Sequence, residues 1–317
     1  MKLRRMAASA LAISTVMLGS ACAGDDLASD DTGSESDGGG DKGAVKISGQ
    51  DFGEVQIVAA MYEQLLDAEG YDASVQLVGT RDVYMGAGQF PESIQLVPEY
   101  VGGIVDYLNV TENGPDAEPL TTPDADESVS AAADLLEAKG ITLLDPSAAV
   151  DTNAFFVTQE FSDSEGVTKL SDLEGMSVVV AAAEDCADRT DCGKGLTEDY
   201  GIDVTEFLPL GFASADVFKS VADGESQLGL TSTTDGTLES QGMVLLEDDK
   251  QIQPAQNLIP AVSSEWLADN GDVEGILNDL MAALTTEKLT ELNGQVSVDR
   301  AKPEDVAKEF LETEGLL

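Results

Sequence analysis

Two cysteines, Cys186 and Cys192, bracket Arg189 in the stretch EDCADRTDCGKG, and the only other cysteine of the chain is Cys22. Such a pair can ligate a metal, cycle as a redox couple, supply a catalytic thiol, or clamp the loop that carries the arginine. The 317 residues include no histidine. Ser-His-Asp and Cys-His nucleophiles are therefore excluded, as are zinc sites built on imidazole. Five residues separate the cysteines, which matches neither a CxxC redox motif nor a zinc knuckle. A metal site completed by Asp185, Asp188 or Asp191 is the alternative that remains open; the leading expectation is no metal and no cofactor. Arg189 offers a planar fork suited to a carboxylate. The competing reading is a surface arginine paired to an acidic neighbour.

The choice between a disulfide and two free thiols depends on compartment. Residues 1–22, MKLRRMAASALAISTVMLGSAC, carry Lys2, Arg4 and Arg5, then an apolar run from Met6 to Leu18, then small residues leading to Cys22. This reads as an export signal, and the run is shorter than the roughly 20 residues of a bilayer span. Gly19-Ser20-Ala21-Cys22 resembles a bacterial lipobox, although Leu18 stands four residues before the cysteine instead of three. Lipidation at Cys22 and anchoring to the cell membrane are expected, with ordinary signal cleavage nearby as the alternative. Residues 23–43 are rich in Gly, Ser and Asp and read as a flexible tether. Outside the cytosol, Cys186 and Cys192 are expected to be joined, a closure worth roughly 2 kcal/mol in the chain-entropy picture.

Acidic residues number 61 against 16 basic ones, a formal net charge of −45. Nucleic acid is a poor partner for such a chain. The 42% hydrophobic content argues for a folded protein, no EF-hand loop is present, and the charge reads as an adaptation to concentrated salt.

About 275 residues follow the tether, enough for two lobes of ordinary domain size. The pattern predicts a strand at 45–48, a helix over 54–69 stopped by Gly70, and a strand at 74–78. A helix over 128–140, stopped by Gly140, ends this first run. It then restarts: a strand at 177–183, a helical segment at 195–201, a helix in ADVFKSVADG and a strand in SQLGLTS. A final helix has Pro303 at its start and Gly315 past its end. This is α/β architecture occurring twice. Three loops lie past strand ends, where such sheets collect ligands: 49–51, 186–192 and 233–236. None has a phosphate-cradle motif.

Several stretches together resemble the substrate-binding proteins of osmoprotectant ABC transporters, which take glycine betaine, choline or carnitine. They are SGQDFGEVQIVAAMYEQLLDAEGY, GTRDVYMG, VPEYVGGIVDYL, AEDCADRTDCGKGLTEDYGI, TSTTDGTLESQGMVLLEDDKQIQPAQNLIPAV and LTTEKLTELNGQVSVDRAKPEDVAKEFLETEGLL. The resemblance spans residues 45–317. It implies a two-lobed type II periplasmic-binding-protein fold with a ligand cleft between the lobes. Lobe I would comprise 44–150 with 256–317, and lobe II 151–255. The protein would be a monomeric binding component without enzymatic activity, delivering its solute to a permease whose ATPase subunits are separate chains.

That family holds quaternary ammonium groups in a tyrosine cage. Matched position by position, Tyr100 corresponds to a cage tyrosine, Arg189 to the carboxylate arginine and Gln50 to the polar residue after the first strand. The other cage positions fall on Ala154, Ser232 and Gln256, and a threonine position falls on Gly103. Phe155, Phe156 and Trp266 are the aromatic residues that could substitute. Asn153, Thr234, Asp235 and Gln256, with Ser232, could instead form a polar pocket for a zwitterion. The alternative for 234–236 is a simple capping turn. The Cys186–Cys192 bridge is expected to aim Arg189 into the cleft. Two further readings are a glycoside hydrolase built on a carboxylate pair and a solute sensor of the same fold.

Overall fold

The computed structural model describes residues 42–317; the expected signal segment, Cys22 and nearly all of the tether lie outside the described residues. The first strand, β1 (Ala44–Ile47), buries Val45 and Ile47. The chain turns at Gly49, where a Cβ would lie 2.9 Å from a Val55 methyl, and enters α1 (Gly53–Ala68). Val58, Met61, Tyr62, Leu65 and Leu66 form the buried face of α1, as their helical spacing predicts. Truncating Leu66 to Ala in this core would cost roughly 2–5 kcal/mol. Gly70, at φ +92°, lets the chain reverse into β2 (Asp72–Val75). This strand lies two residues earlier than the predicted 74–78. Past Val75 the ladder ends and only an isolated Gln50–Val78 bridge continues.

Next come α2 (Arg81–Tyr84), β3 (Leu96–Tyr100) and α3 (Val101–Asn113). The helix predicted over 128–140 is two helices, α4 (Ala125–Ala131) and α5 (Ala133–Lys139), interrupted at Ala132. Asp124 caps α4 through the Glu127 N–H, and Gly140 closes α5 in the left-handed conformation ahead of β4 (Ile141–Leu143).

The second half contains β5 (Asn153–Thr158), α6 (Gln159–Glu165), β6 (Ser177–Ala182), β7 (Asp203–Pro209), α7 (Ala215–Ala222), β8 (Leu228–Ser232) and β9 (Met243–Leu246). Residues 195–199, predicted helical, form a single wide π-helical turn in which Tyr200 N donates to Gly195 O at 3.0 Å. That turn buries Leu196 and Tyr200 beside Cys186 and Cys192. The chain then returns through β10 (Leu258–Ser263) and ends in α8 (Ser264–Asp269), α9 (Asp272–Ala283), α10 (Thr286–Ser297) and α11 (Pro303–Glu314).

The strands make two five-stranded sheets, ordered β2-β1-β3-β10-β4 and β7-β6-β8-β5-β9. In the first sheet β1 runs parallel to β2 and β3, while β10 enters antiparallel between β3 and β4. In the second, β6 is parallel to β7 and β8, while β5 is antiparallel to β8 and β9. Both sheets thus pair parallel strands joined through helical crossovers with one reversed strand. Each is buried on both faces, the first by α1 and α9–α11 on one side and by α3 and α5 on the other. The chain crosses between the sheets twice, and the crossings meet where Val150 pairs with Asn257 and Asp151 N donates to Gln256 O at 3.0 Å.

Candidate functional site

Between the sheets lies a cavity of about 530 Å³. Its walls come from the N-terminus of α1, the segment after β7, the loop after β8 and α10. A smaller cavity of about 120 Å³ adjoins it, sharing Asp151, Phe212 and Ser232 and adding Asn153, Asp191, Gln253 and Gln256. Carboxyl ends of strands are where an α/β sheet presents loops to a ligand. A wider groove of about 1120 Å³ between β9 and α10–α11 has no aromatic side chain in its walls.

The larger cavity is aromatic and acidic. Phe52 precedes α1 and stacks on Tyr100 with ring centroids 6.4 Å apart, and Phe212 follows β7. Phe52 and Phe212 are 39% and 49% exposed. Glu54 is buried in the first turn of α1, where the helix N-terminus favours a negative charge. Its carboxylate accepts from the Tyr100 hydroxyl at 2.6 Å and from Asn293 Nδ2 at 2.6 Å. Burial, aided by the charge of Asp151, pushes the Glu54 carboxyl up to about 7. Burial also raises Asp151, which accepts from Thr234 Oγ1 at 3.0 Å. Asn293 Nδ2 donates in addition to Thr234 O at 3.0 Å, so one amide ties α10, and with it the first sheet, to the loop after β8.

The same loop closes tightly. A Cβ on Gly236 would stand 2.3 Å from Gly294 N and 2.5 Å from Thr290 O, so the two halves meet glycine against glycine.

The arginine loop is arranged differently. Cys186 and Cys192 form a disulfide with Cα atoms 5.2 Å apart, and both are buried in the second sheet's core. Arg189 is held by its neighbours: Nε and Nη2 donate to the two carboxylate oxygens of Asp191 at 2.9 and 2.5 Å. Nη1 lies 3.6 Å from Asp185. The hydrogen bonds to Asp191 keep the guanidinium above its ordinary pKa despite partial burial. Asp191 also accepts from Asn153 Nδ2 at 2.8 Å, and its carbonyl accepts from Gln253 Nε2 at 2.7 Å. The cavity wall is therefore Asp191, and Arg189 reaches the cavity only through it.

Of the residues singled out in the sequence, Asn153, Ser232 and Gln256 line the smaller cavity, and Ser232, Thr234 and Asp235 line the larger. Asp235 is nonetheless occupied within its own turn, accepting from Thr231 Oγ1 and from Thr237 N and Oγ1. Tyr100 is buried, with its hydroxyl given to Glu54. Gln50 lies on the β1–α1 turn, outside both cavity walls. Gly103 has no room for a larger residue: a Cβ would meet Arg81 Nη2 at 2.4 Å. Phe155 and Phe156 are buried in the second sheet's cores, and Trp266 packs edge-on to Tyr71. None of these three substitutes for a cage wall. The aromatic residues that do line the cavity, Phe52, Phe212 and Phe218, were missed. Phe52 sits inside the quoted stretch DFGE, and Phe212 sits in GFAS directly after β7, so position past a strand end was the available signal.

A mixed α/β chain with two sheets, two crossings and a cavity between them has the two-lobed architecture of a type II periplasmic binding protein. Residues 43–313 match the family described as the substrate-binding domain of ABC-type glycine betaine transport systems, and the chain belongs to it. It is accordingly the solute-binding component of an ABC importer of osmoprotectants, in a family that works in transport and outside the cytoplasm. A glycine-betaine-binding protein of Pseudomonas aeruginosa is 27% identical, covering 86% of this chain and 88% of that one. A carnitine transport binding protein of Listeria monocytogenes is 22% identical over 87% and 88%. Among solved structures, a glycine betaine/carnitine/choline ABC transporter protein superposes with a TM-score of 0.73 at 21% identity, covering 86% of this chain and 98% of that one. Lactococcal OpuAC, closed on glycine betaine, superposes at 0.53 with 11% identity, over 86% and 96%.

Proposed function

We propose that this protein captures a small solute with a quaternary-ammonium or betaine-like head in the cleft between its sheets and hands it to a membrane permease. Lobe I would be residues 44–150 with 256–317, and lobe II residues 151–255; the paired crossings at Val150 and Asn257 support those limits. Cys22 would carry the lipid that tethers a monomeric protein to the membrane, and the ATPase subunits would be separate chains. The net charge of −45 suits a working medium of concentrated salt, in which self-repulsion is screened.

One observation carries the reading of the cleft. Aromatic rings from both halves, Phe52 on one side and Phe212 with Phe218 on the other, line a single acidic cavity, and Tyr100 stacks behind Phe52. Ring faces attract a desolvated cation by up to about 2 kcal/mol each. Calorimetric titration of the folded protein with glycine betaine, choline and carnitine, in low and in molar salt, tests it. Micromolar binding of one of them is the expected result, and silence toward all three overturns the reading.

A further inference from the structure

Every arginine near the cleft is already matched. Arg81 donates from Nε and Nη2 to Glu99 at 2.9 Å each, and Arg189 is held by Asp191. Neither cavity has a lysine or arginine in its wall. Glu54, by contrast, is buried, Asp151 is partly buried in the wall of the same cavity, and the charge of Asp151 acts on Glu54. Among the described residues no lysine or arginine nitrogen lies within 4.0 Å of either. A buried carboxylate beside a second acid, with no counter-charge, is costly. Hydroxyl and amide donors from Tyr100, Asn293 and Thr234 offset only part of that cost.

A second, independent feature points the same way. Gln253 is 7% exposed, lines the smaller cavity beside Asp151, and its Oε1 has no donor. Its orientation is fixed, because Nε2 is used on the Asp191 carbonyl. Asn293 Oδ1, in the larger cavity, likewise lacks a donor while Nδ2 is used on Glu54 and Thr234. The cleft therefore presents two carboxylates, and two carbonyl-type acceptors without donors lie buried in the residues of its walls. A ligand that completes the carboxylates brings positive charge and hydrogen-bond donors.

Resting on the solute-binding reading above, we infer that the cleft selects a small organic cation bearing a donor group over a zwitterion bearing a carboxylate. Glu54 and Asp151 serve as its counter-charge, and Phe52 and Phe212 flank it. A ligand carboxylate would face acceptors and like charges, with both arginines spent.

Choline and glycine betaine make the matched probes, since both carry a trimethylammonium group and they differ in ending in a hydroxyl or a carboxylate. Calorimetric titration of the whole protein should find choline at least tenfold tighter. Asp151→Asn and Glu54→Gln should each weaken choline at least tenfold and glycine betaine by a smaller factor, so that the preference for choline narrows. Phe212→Ala, at a half-exposed position where folding is not at stake, should weaken choline by a similar factor. Glycine betaine binding as tightly as choline, or folded carboxylate variants that bind choline as the parent does, would overturn the inference and leave solute binding intact. A folded protein silent toward both probes and toward carnitine would overturn the solute-binding reading, and this inference with it.

Discussion

At one end of the cleft Arg81 faces Glu99 and Arg189 faces Asp191, each with two hydrogen bonds to one carboxylate. Gln256 joins this end to the crossing, accepting from Gly103 N at 3.0 Å while Gly103 packs against Arg81. In the wall of the larger cavity Glu54 and Asp151 have hydroxyls and amides but no cation. The contrast separates charge used to hold the fold from charge left open to a ligand. It also separates the two arginines, since the side chains of Arg81 and Glu99 are 20% and 1% exposed whereas those of Arg189 and Asp191 are 34% and 21% exposed.

The largest effect should come from the buried pair. Arg81→Met leaves Glu99 buried without its partner and should cost about 3–5 kcal/mol in urea unfolding. Arg189→Met, in a wetter pair, should cost less than about 1 kcal/mol. Equal losses would break the distinction between them. Next is the dependence on pH. Glu54 is raised from 4.5 to about 7, so the folded state binds its proton more tightly than the unfolded chain. The stability this group contributes is complete below about 4.5 and is lost as pH rises through 7. Glu54→Gln should flatten that part of the thermal-stability profile, and an unchanged slope would remove Glu54 from the charge left open to a ligand.

Replacing Cys186 and Cys192 by serine should lower stability by roughly 2 kcal/mol, read as a fall in melting temperature. Gly236→Ala should weaken ligand binding about tenfold, or about 1.4 kcal/mol, and lower the melting temperature as well, because its methyl would overlap the α10 backbone where the halves meet. The smallest change is expected from Asp191→Ala. It frees Arg189 and should improve glycine betaine binding severalfold; no gain would show that Arg189 cannot reach the ligand.

Periodic segments were readable in the sequence because burial imposes the period. The apolar face of α1, the VVV run of β6, and the Pro303 start and Gly315 stop of α11 all stand where spacing and backbone chemistry put them. The break at Ala132 and the π-helical turn at 195–199 were not readable, since each depends on what the segment packs against. The site was less legible than the fold. Glu54 is one of 61 acidic residues, and nothing local distinguishes it from a solvated one. The pairing of Arg189 with Asp191, two residues away, depends on loop shape. The loop after β8 was legible as a position but not as a closure, because the Gly236–Gly294 contact joins residues 58 apart in sequence.

The place of β10 sets an order of assembly. Strands β5 to β9 occupy one uninterrupted stretch of chain, so the second sheet has all its strands once Leu246 has emerged from the ribosome or translocon. The first sheet, begun at residue 44, lacks the strand between β3 and β4 until Ser263 follows. The younger half can fold while the older half waits with two open edges. A nascent chain halted near residue 255 would therefore carry one finished half and one able to accept a strand from a neighbouring molecule.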